Sequence, residues 1–195
     1  MSLRDVLLDE LRDMYSAENQ LIKAPPKLAK GANNVKLRGI FAKHLEETQC
    51  QVERLKEVFG HLGENPTGEH CNGMEGIVKE GKDALAKDEK GASFDCGLIG
   101  AALRTEHYEI AGYQATISMA KTLGMQDVLD LLTKNLNEEM AVAAKITEAA
   151  QPILKQSSEE PEHKKKPMSA KEKISAQKSC EDEKEATPTL RKKAS

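Results

Sequence analysis

The chain has 195 residues, no tryptophan, 3% aromatic and 31% charged residues, and a formal net charge of −3. A core without large aromatics must be built from Leu, Ile, Val, Met and Ala, and with few β-branched runs this composition predicts an all-α protein. From Gln156 onward the large apolar residues nearly vanish, and that tail holds ten Lys/Arg against eight Asp/Glu, a net +2 that leaves −5 on the body.

We therefore read residues 1–155 as a folded helical domain and 156–195 as a disordered charged tail, which lacks the apolar surface to offset its ordering entropy. An acidic body repels phosphates, so nucleic acid is not an expected partner. No apolar run approaches the ~18 residues that cross a bilayer, and the N-terminus carries no signal series, so a cytoplasmic protein without a membrane partner is expected. The cysteines (Cys50, Cys71, Cys96 and Cys180) show no CxxC spacing, which disfavours a zinc site or a disulfide framework.

The first helix should start at Ser2, with Asp5 completing a capping box. Leu7, Leu11, Met14, Glu18 and Leu21 then recur at three- and four-residue steps until Pro25-Pro26 end or kink the pattern. A second helix runs from Asn34 through Leu37, Phe41, Leu45, Thr48, Val52, Leu55 and Phe59 to Leu62, stopped by Gly63. A short crossover helix is expected over Met74–Lys87. Ser93 can cap the next long helix, which carries Leu98, Ala102, Leu103, Glu106, Ile110, Tyr113 and Ile117 and breaks at Gly124. The last helix begins at Gln126, aligns Leu129, Leu132, Leu136, Glu139, Ala143 and Ile146, and should end near Pro152.

The two halves look duplicated. An offset of 91 residues sets Glu18 on Glu109, Glu47 on Glu138, Leu45 on Leu136 and Leu55 on Ile146. Two helical hairpins joined by one long crossover make the ferritin-like four-helix bundle.

Chemistry is expected where charge breaks the apolar stripes. Glu18, Glu106 and Glu139 each lie on a stripe, Glu109 is one turn beyond Glu106, and Glu47 flanks Thr48 with His44 one turn before it. A buried unpaired carboxylate costs several kcal/mol unless it is neutralised, paired or metal-bound. Carboxylates converging from four helices suit two hard cations, iron first and manganese second.

The match to the usual di-iron pattern is incomplete. Cys50 and Val142 stand where a Glu-x-x-His series from Glu47 or Glu139 would place histidine. Glu47, Glu109 and Glu138 also read as solvated edge charges, and Glu138 or Glu139 remain alternatives for the last helix. His44 is balanced between ligand and packed histidine, whereas His107 reads as a group behind the ligands or at the surface. Tyr15 and Tyr113 read as core packing first, with hydrogen bonding to ligands as the alternative, and Cys71 and Cys96 as small buried hydrophobes.

The series Asp9-Glu10-Leu11-Arg12-Asp13-Met14-Tyr15-Ser16-Ala17-Glu18 resembles the opening of the YciE/YciF-type bacterial stress proteins. So do His44-Leu45-Glu46-Glu47-Thr48 and Glu106-His107-Tyr108-Glu109-Ile110-Ala111-Gly112-Tyr113. The resemblance implies a ferritin-like, dimeric bundle with a di-metal centre, and by motif it implies Glu18, Glu47, Glu106, Glu109 and Glu139 as ligands. Relatives often carry an acidic residue where this chain has Ala143. No enzymatic activity follows from the resemblance. The expected functions are metal-dependent handling of small oxidants or ferrous iron, or a stress-associated structural or interaction role.

Overall fold

Ser2 and Asp5 form the expected capping box: the Asp5 carboxylate accepts from the Ser2 N–H at 2.7 Å, and the Ser2 hydroxyl accepts from the Asp5 N–H at 3.2 Å. This box starts α1, Leu3–Lys23. In this computed structural model residues 1–23, 30–86 and 91–159 are described; Pro25-Pro26, Lys87 and the tail from residue 160 lie outside them.

The side chain of Asn34 accepts from the Leu37 N–H at 3.1 Å and caps α2, Val35–His61, which ends beside Gly63 at φ 68°. The crossover helix α3, Asn72–Leu85, starts two residues earlier than expected because the Cys71 thiol accepts from the Met74 N–H at 3.3 Å. Helix α4, Ala92–Thr122, and helix α5, Gln126–Glu159, are joined by a turn through Gly124 at φ 69°. The left-handed conformation at Gly63 and Gly124 is one that a Cβ would disfavour, which is why both stops could be read from the sequence.

Two boundaries differ from expectation. Ser93 is not the cap of α4; Gly91 holds that position, and the Ser93 hydroxyl is 2.7 Å from that of Ser157. The buried carboxylate of Asp95 instead accepts from the backbone N–H groups of Asn33 and Asn34, at 2.8 and 2.7 Å, and ties the start of α4 to the start of α2. Helix α5 also runs past Pro152. The ring lies on the exposed face while Ile153 is buried in the core, so packing beyond the proline outweighs the lost backbone bond.

The long helices pack in a closed ring: α1 on α2, α2 on α5, α5 on α4, and α4 on α1. Helix α3 lies outside, against α1 and α4. This is the ferritin-like arrangement of two hairpins with a helical crossover. The apolar core is divided. One cluster joins Leu7, Leu11 and Met14 to Leu55, Phe59 and Leu132; another joins Leu37 and Phe41 to Leu98, Ile146 and Ile153. Between them, at mid-height, lies a buried polar layer.

Candidate metal centre

The layer is built from residues that follow the apolar contacts of each long helix. Helix α1 contributes Glu18; α2 contributes His44, Thr48 and Gln51; α4 contributes Glu106 and Glu109; and α5 contributes Asn135 and Glu139. All eight are buried, His44 the least so at 7% exposure. Helix α4 is rotated from the sequence reading: its buried stripe runs through Ala102, Glu106, Glu109, Tyr113 and Thr116, while Leu103, Ile110 and Ile117 are only half-buried. Glu109 is therefore an inner residue and not a solvated edge charge.

His44, Glu106, Glu109 and Glu139 each direct one donor atom into a group whose members lie within 4.8 Å of one another. His44 Nε2 is 3.4 Å from Glu106 Oε2 and 3.8 Å from Glu139 Oε2. With every carboxyl ionised, both His44 nitrogens, both Glu109 oxygens, and Oε2 of Glu18, Glu106 and Glu139 have no hydrogen-bond partner among the described residues; a shared proton would pair Glu18 with Glu109 and Glu106 with Glu139. Buried polar atoms are rarely left this way, and one imidazole with several carboxylates is the donor set of a hard or borderline cation. A buried cluster able to hold a metal ion is thus present.

Electrostatics agree with the geometry. Burial pushes the carboxyls of Glu18, Glu106 and Glu109 well above the usual carboxylate range. Neighbouring charge adds to this, from Glu139 at Glu18 and Glu106, and from Glu18 at Glu109. Burial raises Glu139 as well, opposed by the adjacent His44 imidazole. Without a cation these groups hold protons that a metal would displace.

The other expected residues stand around this group. Glu47 is half-buried, with Oε2 3.9 Å from His44 Nδ1 and Oε1 3.3 Å from Lys43 Nζ. Glu138 is turned to Arg54, which donates to it from both terminal nitrogens at 2.6 and 2.8 Å. His107 is exposed, as read. Tyr15 packs edge-on against Phe59 at 5.9 Å, whereas Tyr113 is more than core packing: its hydroxyl donates to Glu18 and accepts from Asn135 Nδ2 at 2.9 Å.

Asn135 and Arg54 were missed from the sequence. Arg54 donates to Asn135, and Gln51 donates to Glu139 and, at 3.2 Å, to Glu138. The signal for Asn135 is the repeat, which sets it on His44 and thereby marks it as an inner position, whereas the repeat sets Arg54 on the exposed Lys145 and gives it none. Cys71, read as a small hydrophobe, is buried but also hydrogen-bonded, 2.9 Å from the Tyr108 hydroxyl and 3.2 Å from Asp13 Oδ2.

The family described as "Domain of unknown function (DUF892)" matches residues 2–159. Protein YciF of Escherichia coli (strain K12) is 39% identical over 150 residues, which are 76% of this chain and 90% of that protein. The crystal structure of the E. coli stress protein YciF superposes with a TM-score of 0.77 at 37% identity, covering 80% of this chain and 99% of that one. YcfI of Rhodopseudomonas palustris, described as a candidate structural protein, gives a TM-score of 0.73 at 41% identity over 75% of this chain and 94% of its own. Among the described residues no helix is long and apolar enough to cross a membrane.

Proposed function

The chain belongs to the DUF892 family and is a homologue of the stress protein YciF; from that premise we propose that it is a stress-response protein whose bundle holds iron or manganese and uses it to handle peroxide, oxygen or ferrous iron. The observation that carries this reading is the set of unpartnered donor atoms converging from four helices in a layer closed to solvent. His44, Glu106, Glu109 and Glu139 would hold the first ion, and Glu18, steered by the Tyr113 hydroxyl, would share a second. When bound, such ions supply one-electron redox chemistry. The chain's own part is to orient five ligands, exclude bulk water with the two apolar clusters, and anchor the layer through Asn135, Gln51 and Arg54.

Protein expressed aerobically in metal-supplemented medium should carry about two iron or manganese ions per chain by elemental analysis. Less than a few tenths of an equivalent, even after anaerobic reconstitution, would sink the reading. The second reading is a non-catalytic structural or interaction protein. It is favoured by the departures at Cys50 and Val142 and by the description of the R. palustris neighbour. We place the protein in the cytoplasm because no signal series or membrane-length apolar run is read in the sequence, and as a homodimer on the resemblance alone.

A further inference from the structure

The two halves of the repeat are alike inside and different at the edge. Glu18 and Glu109, related by the repeat, are both fully buried. Glu47 and Glu138, likewise related, are both half-buried, with side chains 21% and 31% exposed. Beyond that the edges diverge. Next to Glu138 the half-buried Arg54 guanidinium clamps both carboxylate oxygens and also holds Asn135, so a fixed positive charge and a closed hydrogen-bond network fill that side.

On the other side, among the described residues Glu47 pairs with Lys43, itself 65% exposed, and faces the Nδ1 atom of His44. His44 is the least buried member of the inner group, and neither of its nitrogens has a hydrogen-bond partner among the described residues. From Glu47 the chain of donor atoms is short: 3.9 Å to His44 Nδ1, then 3.4 Å from its Nε2 to Glu106.

We infer that Glu47 is the capture residue through which a divalent cation passes to His44 and the buried carboxylates, the equivalent path past Glu138 being plugged by Arg54. This inference rests on the metal-binding reading above. A cation approaching the Arg54 side meets a like charge already paired to its carboxylate. At Glu47 it meets a carboxylate that still reaches water with 21% of its side chain exposed and that no guanidinium clamps, and its Lys43 partner is exposed and therefore weakly held. Attraction at such a mouth acts on the association rate, and it weakens with salt. Glu47 is thus assigned to loading and not to the final ligand set.

The test uses the full chain freed of metal and mixed with Co(II), whose visible absorption reports ligation, in a stopped-flow instrument at low ionic strength. Glu47→Gln should load about five- to tenfold more slowly than the wild type, yet bind the same number of ions at saturation. Lys43→Gln should load faster. Glu46→Gln removes the same charge from an exposed neighbour on α2 and should load nearly as the wild type does. Equal slowing in Glu46→Gln and Glu47→Gln, an unchanged rate in Glu47→Gln, or fewer ions bound by Glu47→Gln at saturation would each overturn the inference while leaving metal binding intact. Wild-type protein that binds no Co(II), Fe(II) or Mn(II) at all would overturn the functional reading beneath it.

Discussion

Glu106 shows what a single residue in the layer does. It is buried, its carboxyl is pushed up by burial and by Glu139, and its Oε2 is unpartnered. Removing one member of a charge cluster usually harms a protein because its partner is left alone, but here the carboxylates of Glu139, Glu18 and Glu47 that repel Glu106 outnumber its one imidazole neighbour, His44. Glu106→Ala should therefore lose most bound metal, while the metal-free protein becomes as stable as the wild type or more so, by about 1–3 kcal/mol in urea denaturation. Retention of full metal content would remove α4 from the ligand set. Glu18, Glu106 and Glu139 were legible because a charge on an apolar stripe has no innocent explanation. Glu109 was obscured by Ile110, which competes for the same face, and Asn135 by Leu136. Arg54 reads as a solvent-facing residue until its partner on another helix is known, and no local pattern supplies that partner.

Helix α5 illustrates the balance between local rules and packing. Proline in a helix interior costs about 3 kcal/mol, so the sequence alone ends α5 near Pro152. The structure continues it because Ile153 fills the apolar cluster with Leu37 and Leu98, and because Ser157 meets Ser93 across the hairpin. A chain ending at Glu159 should match the full-length protein in melting temperature and metal content. A chain ending at Pro152 loses the buried Ile153 and should be less stable by about 2–4 kcal/mol in chemical denaturation. Equal stability of the two truncations would mean that the last turns of α5 add nothing. The glycine stops, the cap at Ser2 and the start of α2 at Asn34 were readable because each is set within a few residues. The start of α4 was not, since its cap is Gly91, which carries no side chain, and the buried carboxylate of its first turn, Asp95, answers to Asn33 and Asn34 far away in sequence.

For the molecule as a whole, the layer fixes how stability depends on pH. Glu18, Glu106 and Glu109 have folded-state values raised above the unfolded value near 4.5. The folded metal-free protein therefore holds more protons than the unfolded chain above that value. Their contribution is fully present below pH 4.5 and is lost as pH rises through the folded values. The exposed carboxylates of Asp5, Glu75 and Glu148 are lowered by their partners and act the other way, but only at more acid pH. Metal-free protein should thus melt at a lower temperature at pH 8 than at pH 5.5. Saturating Mn(II) should reverse that slope, because the cation takes the place of the protons. Scanning fluorimetry checks both arms, and a metal-free melting temperature that rises across this interval would contradict the buried-carboxylate account.

The division of the core at mid-height reaches beyond the site itself. Each apolar cluster is anchored at its own end of the bundle, and the ring of carboxylates between them is where the native packing is frustrated. Cations held there would rivet all four helices together, so that the two ends would fold and unfold as one. Without them the two ends would be joined by helical backbone and by the hydrogen bonds of Tyr113, Asn135, Gln51 and Arg54, and the buried carboxylates would make the centre the weakest opening. Because a bound ligand stabilises by mass action, the fraction of chains exposed to proteases would then follow the free cation level. The lifetime of the protein in the cell would itself become a gauge of metal supply.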